Sequence, residues 1–548
     1  MNAKLARFQS AIACIVLALS SFMLEAQESL AMPTNIRIMP RHLRIDLAWS
    51  RTNADEYEVQ RTTSPDDPFE TLANPMPSYP VFTDFLGKSD GDYVYRVRGI
   101  RRDKDGHITA TSPWSPMVKE TPRRDQPEEL VTEIQEASFR YFYEGGHPIS
   151  GLALERSKRT PDCCAIGATG MGLFTIGVGI ERGFVSRKAG AERVLQIVRF
   201  LSEKAERFHG AFSHQLNGVT GKVIPFSTFD DGADLVETAF LAEGLLFLRE
   251  FFTGTDAIEA EIRQRSDQIW RGIEWDFFTK EDQKYGACLY WHWSPNVGWK
   301  KGLPIRGFNE CQIVYLLAMA SPTHPIDLKF YQNGWDNSQY RQDRTSFEIP
   351  LQMGRDLGGP LFYTQYSYMG FDPHKISYGG RNYFEHFQDQ CRVQIKYADS
   401  RKDDFVGYGP IWGITSSLNP KGYKAHAPGP KDDGTIAPTA ALSSMPYVPV
   451  ESRACMIEMY EKYGSKLWGP FGFYDAFNLS KEWVGQSYLG IDVGPVAPMI
   501  ENQRTGLCWN TFMKAPELDK MLKFLAQPSP AQVLLAIKPP VLSTVEAK

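Results

Sequence analysis

Four carboxylates stand apart from the other acidic residues, because each sits in a glycine- or aromatic-rich stretch at the predicted end of a helix. Asp234 and Glu237 lie three residues apart in Asp230-Asp231-Gly232-Ala233-Asp234-Leu235-Val236-Glu237, at the start of a helix, so they share a face. Alone, that pair reads as N-terminal acids favoured by the helix dipole. Glu310, in Arg306-Gly307-Phe308-Asn309-Glu310-Cys311, heads the nearly all-apolar run 313–320. A carboxyl there is partly desolvated, which raises its proton affinity and suits a general acid. Asp492 precedes Val493-Gly494-Pro495, and that Gly-Pro step implies a turn where a ligand approaches the backbone. Tyr474-Asp475-Ala476-Phe477-Asn478 is a further acidic–aromatic turn. Upstream of Glu310, Tyr290-Trp291-His292-Trp293-Ser294-Pro295 reads as a loop whose rings stack on a ligand.

The elements that must position these groups fall into two kinds. From Pro127 onward the apolar period is helical: Leu130, Ile134, Ala137, Tyr141 and Phe142 form one stripe. Ser186 is placed to cap a helix carrying Val194, Ile197, Val198 and Leu201. Leu235, Ala239, Ala242 and Leu246 continue the pattern, then Ile262, Ile269 and Ile273, with later helices expected near 307–320, 361–370, 380–397, 450–463, 492–502 and 508–525. About a dozen helices in roughly 400 residues suit a toroid of inner and outer helices. Its long Gly-, Pro-, Trp- and Tyr-rich loops would build a cleft at one end. Residues 33–122 instead show period-two runs such as Leu43-Arg44-Ile45-Asp46-Leu47 and Tyr93-Val94-Tyr95-Arg96-Val97, separated by turn residues, which predicts half-buried strands. No cluster of catalytic residue types falls in that stretch, and Thr121–Pro127 reads as a linker.

A chain of 548 residues is too long for one core. A net charge of −5 leaves no basic footprint for nucleic acid or an anionic membrane. Lys4 and Arg7 followed by the apolar stretch 11–24, with small residues at Ala26 and Ala31, form a secretory leader over 1–26, with cleavage as late as 31. That stretch is shorter than a membrane span. Ala11-Ile12-Ala13-Cys14 weakly resembles a lipoprotein box, but the apolar run continues past Cys14. Seven further cysteines show no CxxC spacing and read as small buried residues with one or two bridges rather than metal ligands or nucleophiles. Paired carboxylates at helix ends, aromatic loops, and no nucleophile elbow, phosphate loop or metal spacing favour cleavage of glycosidic bonds.

The strand region, with its early Trp49, paired tyrosines and Ser-Pro-Trp-Ser-Pro edge, resembles a fibronectin type III domain. The rest carries, in order, "GLALERS", "IGATGMGLFTIGVGIERGFVSR", "RFHGAFSHQLNGVTGKVIPFS", "DDGADLVETAFL", "LYWHWSPNVGW", "PIRGFNEC", "SPTHPI", "GGPLFYTQYSYMGFDP", "YGPIWGIT", "AHAPGPKDDGTIAPTAALSSMPYVP", "GFYDAFN" and "YLGIDVGPVAPMIENQRTGL". This set resembles the bacterial β-1,2-glucanase family, glycoside hydrolase family 144, with its glycoamylase-like domain. The resemblance implies a small all-β fibronectin III-like sandwich over 33–122, then an all-α (α/α)6 toroid barrel over 128–526 and a tail over 527–548. It implies hydrolysis of β-1,2-glucan or its oligosaccharides with inversion, either internally or by releasing sophorose from a chain end. Another (α/α)6 carbohydrate-active enzyme (an α-glucosidase or a β-1,2-glucan transglycosylase) and a non-catalytic glucan-binding protein are the alternatives.

Carried over by motif, the family's acidic residues fall on Asp234, Glu237, Glu310 and Asp492. Glu310 is expected to protonate the leaving oxygen and Asp492 to activate water, directly or through a relay, with ~6.5–9.5 Å between acid and base for direct attack. Trp291, His292, Trp293, Arg306, Tyr366, Trp412 and Tyr474 are the candidate substrate contacts, about half of which are expected to serve as such. No metal, cofactor, nucleic acid or transmembrane segment is expected. The protein is expected to be secreted or periplasmic, with β-1,2-glucan as its partner.

Overall fold

The structure, a computed structural model, describes residues 29–158, 162–336, 341–378 and 380–525. The expected leader at 1–26 and tail at 527–548 lie outside the described residues. The chain divides into two compact units. One holds the chain to Pro40 with Ile45–Asp84 and Asp90–Pro122; the other holds Arg41–Arg44, Phe85–Ser89 and everything from Arg123.

The sheet-rich N-terminal region has eight strands: β1 (Arg37–Arg41), β2 (Arg44–Ala48), β3 (Glu56–Thr62), β4 (Glu70–Thr71), β5 (Val81–Phe85), β6 (Tyr93–Arg102), β7 (Ile108–Thr111) and β8 (Val118–Glu120). They form one sheet in the order β1-β2-β5 and another in the order β4-β3-β6-β7, with β8 also on β6. Alternation sets the faces, as the sequence predicts. Tyr57 and Val59 of β3 and Tyr95 and Val97 of β6 are buried, while Glu58 faces Arg98 across the antiparallel β3–β6 pair and bonds it at 2.7 Å.

The second unit is helical. Helix Pro127–Tyr143 buries the predicted stripe from Leu130 to Phe142. Ser186 caps helix Arg187–Glu203 through Ala189 N–H at 3.2 Å. Three expected helices are interrupted. The stretch 361–370 is two 3-10 turns, Leu361–Thr364 and Tyr366–Tyr368. Pro495 separates Gly490–Val493 from Val496–Arg504, its ring imposing a break as prolines do. Leu507–Phe512 and Leu518–Leu525 are likewise separate, with Pro516 between them. Among the described residues, no helix is long and apolar enough to cross a membrane. All seven described cysteines are buried, and no disulfide bridge forms among them.

Two helices set the site's geometry: Ile166–Glu181 and Leu235–Phe251, both buried over most of their length. The first carries glycine at 167, 170, 172, 177 and 179, each costing about 1 kcal/mol of helix propensity relative to alanine. Close packing offsets that cost. A Cβ on Gly170 would land on the carbonyl of Phe240, one on Gly244 would land on the carbonyl of Gly170, and one on Gly172, Gly177 or Gly179 would strike the ring of Phe142, Phe247 or Phe139. The two backbones therefore run in direct contact, which holds their N-termini abreast. Gly170→Ala is expected to cost about 1–3 kcal/mol through overpacking, read as a lower thermal melting midpoint. An unchanged midpoint would refute the close approach.

Candidate active site

The site begins where those two helices begin. Asp234 is the N-cap of helix Leu235–Phe251: its Oδ1 accepts the N–H groups of Val236 and Glu237, each at 3.0 Å. Glu237, one turn on, reaches across to the neighbouring helix and accepts Gly167 N–H at 2.8 Å. A side chain at Gly167 would collide with that carboxylate. The segment 211–215 threads between the two N-termini. Its Phe212 carbonyl accepts Asp234 N–H at 2.7 Å, its His214 carbonyl accepts Ile166 N–H at 3.1 Å, and Gln215 pairs with Ala165. A two-residue ladder completes the frame, with Ala233 opposite Trp293 and Asp234 opposite His292.

Asp234 therefore meets two histidines. His214 Nδ1 lies 3.3 Å and His292 Nε2 3.5 Å from its Oδ2. Asp230 adds a second carboxylate 3.4 Å from His292 Nε2, and Lys301 Nζ bonds Asp230 at 2.8 Å. The protonation states diverge. Burial opposes charge on Asp234, yet His214, His292 and the helix N–H groups outweigh it and hold this carboxyl below its usual range. Burial opposes charge on His214 too, but Glu237, Asp234 and Asp230 raise it to about 9, so it is a cation at neutral pH. Burial, with ionised Asp234 alongside, pushes Glu237 up to about 7 against the pull of His214. His292 is lowered, chiefly by burial. The side chains of His214, Asp230 and Asp234 lie close enough together to ligate a cation, and Lys301 already supplies a positive charge to Asp230 there.

Glu310 lies in the turn just before helix Gln312–Ala320, whose residues are all buried. Burial pushes its carboxyl up to about 7, and Glu237 and Asp234 add to the shift while Arg355 opposes it. Asp492, on Gly490–Val493, is fully enclosed. Burial and Asp475 raise it far above the ordinary aspartate range. Neighbouring residues tie the two carboxyl-bearing segments together. The Tyr366 hydroxyl donates to Asp492 Oδ1 at 2.8 Å, and the next residue, Ser367, donates its hydroxyl to the Glu310 carbonyl. Both carboxyls raise the tyrosine hydroxyls of Tyr366 and Tyr423, so Glu310 and Asp492 act on the same pair of phenols.

The sequence-predicted contacts divide. Trp291, half-buried, stacks on His292 with ring centroids 5.5 Å apart and planes 5° apart, beside the carboxylates. Trp293 is half-buried in an edge-on cluster with His209 and Phe277. Tyr366 sits between acid and aspartate as described, and Tyr474, Asp475 and Asp492 line a cavity of about 30 Å³, room for a water. Arg306 donates to the Tyr285 carbonyl at 2.8 Å. Trp412 is buried, its carbonyl accepting the Cys455 thiol at 3.5 Å. The glycines around Asp492 are there for packing rather than for ligand approach: a Cβ on Gly494 would strike Met171, and one on Gly490 the Leu154 carbonyl. His214, Asp230, Lys301 and Tyr423 were not singled out from the sequence, although His214 and Asp230 adjoin or lie within the "RFHGAFSHQLNG" and "DDGADLVE" stretches.

A Glycoamylase family model, described as a glucoamylase family, matches residues 302–516. An exo β-1,2-glucooligosaccharide sophorohydrolase (non-reducing end) of Parabacteroides distasonis is 38% identical over 503 residues, covering 87% of this chain and 68% of the relative. The crystal structure of a β-1,2-glucanase from the same organism superposes with a TM-score of 0.85 at 36% identity, covering 91% of this chain and 73% of that one. An endo-β-1,2-glucanase of Chitinophaga pinensis, solved with sophorotriose and glucose, gives a TM-score of 0.70 at 41% identity over 73% of this chain and 98% of its own. With helices, acids and aromatic loop laid out as they are, and with likeness of this extent, the chain belongs to the bacterial β-1,2-glucanases of glycoside hydrolase family 144.

Proposed function

We propose that the protein hydrolyses β-1,2-glucan or its oligosaccharides with inversion, either internally or by releasing sophorose from a chain end. In this reading the helical unit (128–526) is an (α/α)6 toroid and the strand unit (33–122) a fibronectin III-like sandwich ahead of it. A leader at 1–26 delivers the enzyme to the periplasm or the outside of the cell. Relatives whose names specify β-1,2-glucan or sophorose support the substrate.

The observation that supports the chemistry is a half-buried Glu310, its carboxyl pushed up to about 7, on a segment joined to Asp492 through the Tyr366–Ser367 step. Glu310, its carboxyl pushed up to about 7, keeps a proton toward neutral pH and gives it to the leaving glycosidic oxygen. Asp492 takes the proton of the attacking water, directly or through a substrate hydroxyl. Asp234, ionised and acting on Glu310, and Glu237 bind sugar hydroxyls and set the field in which Glu310 keeps its proton. Trp291 offers a half-buried face for a sugar ring.

Linear β-1,2-glucan and starch, offered in parallel, test the substrate. Glucan should be consumed, with the new reducing end appearing first as the α-anomer by NMR; turnover of starch alone would overturn the reading. The time course of product lengths separates internal cleavage from release of disaccharide. Glu310→Gln and Asp492→Asn should each lower kcat roughly 10²–10⁴-fold with KM little changed, and full activity in both would remove these residues from their roles. Glu310 works protonated, so kcat/KM should fall as pH rises through about 7 and hold below it on that limb. A flat profile from pH 6 to 9 would contradict the assignment. Trp291→Ala should raise KM roughly three- to tenfold, the scale of one lost ring contact.

A further inference from the structure

Asp475 and Asp492 meet inside the protein from distant parts of the chain. Asp475 sits between the short strands Gly472–Phe473 and Ala476–Asn478, and Asp492 on the Gly490–Val493 helix. Each carboxylate has one satisfied oxygen. Asp475 Oδ2 accepts Leu418 N–H at 2.7 Å, and Asp492 Oδ1 accepts the Tyr366 hydroxyl at 2.8 Å. The remaining oxygens, Asp475 Oδ1 and Asp492 Oδ2, are both buried and neither receives a donor from any protein group. The two side chains are nevertheless within hydrogen-bonding reach of each other. Two carboxylates facing each other out of water cannot both be ionised, and a single proton between them satisfies both bare oxygens at once.

We infer that Asp475 and Asp492 share one proton and work as a unit, with Asp475 a positioning residue that stores the proton Asp492 must release in order to act as a base. The inference rests on the hydrolytic role proposed for Asp492. It resolves a difficulty in that role, since an enclosed aspartate that already holds a proton cannot take another on the same carboxyl unless the first moves on. The water oxygen bonds to the anomeric carbon while the glycosidic C–O bond breaks, its electron pair passing to the oxygen that Glu310 protonates. The water's proton goes to Asp492 Oδ1, and the shared proton slides from Asp492 Oδ2 to Asp475 Oδ1. The pair passes from one proton to two as Glu310 passes from acid to carboxylate; exchange with solvent then restores both. The other groups facing the pair are Arg156, which favours the ionised form of each, Tyr366, and Tyr423, whose hydroxyl feels both aspartates and Glu310.

Asp475→Asn separates this role from a merely structural one. Asparagine can keep the Leu418 contact through its Oδ1 and donate its amide to Asp492 Oδ2, so the local shape survives while the proton store is lost. Expected are at least a tenfold fall in kcat, a KM for glucan within about twofold, and an acidic limb of kcat/KM at least one pH unit lower, the scale of a removed like-charge partner. A wild-type kcat, or a limb that stays in place, would overturn the inference. A second measurement needs no folded Asp475 variant: infrared difference spectra at pH 7 of wild type against Asp492→Asn should show the loss of one protonated carboxyl band. Loss of only a carboxylate band would mean that no proton is shared. If Asp492→Asn remains active, the role as base proposed for Asp492 falls; if it is inactive while Asp475→Asn keeps the wild-type kcat and limb, only the shared proton does.

Discussion

Five buried carboxyl groups (Asp230, Asp234, Glu237, Asp475 and Asp492) and the half-buried Glu310 are gathered in the helical unit with few cations to balance them. They cannot all ionise, since charge taken out of water must be paired or surrendered. For Asp234, Glu237 and Glu310, burial raises the carboxyl and the donors each meets decide how far that is offset. Asp234 has two helix N–H groups and two histidines and remains an anion. Glu237 has one N–H, from Gly167. Glu310 lies just ahead of a helix N-terminus, where the dipole favours an anion by about 0.3–1 kcal/mol. Its rise from 4.5 to about 7 represents roughly 3 kcal/mol against ionisation, so burial wins over the dipole and Glu310 keeps its proton well above the usual carboxylate range.

This ordering depends on backbone placement more than on the acids themselves. Glu237 reaches Gly167 because the helices carrying them lie in direct contact, and they do so because Gly170 and Gly244 present no side chain at the crossing. The segment 211–215 then uses its carbonyls to fix both helix starts and delivers His214 to Asp234. His214 also stacks on Phe226, with ring centroids 4.1 Å apart, which limits its orientations. A chain of this kind turns helix packing into charge placement. A small shift at the glycine crossing would change which carboxyl keeps its proton before it changed the outline of any cleft.

Legibility in the sequence follows the range of the interactions. The helix at Pro127–Tyr143 and the cap at Ser186 were readable because apolar period and capping are local. The helix Ile166–Glu181 was not readable from periodicity, since its five glycines look like a loop until Phe142, Phe247 and Phe139 are seen to press on three of them and the Glu237 carboxylate and Phe240 carbonyl on the other two. The supposed helix at 361–370 breaks into two 3-10 turns. Its polar side chains instead serve residues elsewhere: Gln365 bonds the Ala440 carbonyl, Tyr366 bonds Asp492, and Ser367 bonds Glu310. At the site, the acidic candidates were chosen by their settings. Their partners were not, because nothing in the spacing of His214, Lys301 or Tyr423 reports that they come to lie beside carboxylates distant in the chain.

The two halves of the proposed chemistry have different nearest charges, although both reach the Tyr366 and Tyr423 hydroxyls. On the Glu310 side, ionised Asp234 and cationic His214 hold a fixed charge pattern that does not change during turnover. On the Asp492 side, the inferred shared proton would leave one negative charge over two aspartates, both raised by burial and drawn toward ionisation by Arg156. Hydrolysis with inversion adds a proton to the second side and takes one from the first. The negative charge therefore crosses from one wall of the site to the other while the total stays constant. An oxocarbenium-like sugar between those walls has an anion near it at every stage, and no stage requires burying an additional charge. Because burial makes each extra charge so costly, a site of crowded carboxyls gains from exchanging a proton across itself rather than creating an ion pair anew in each cycle.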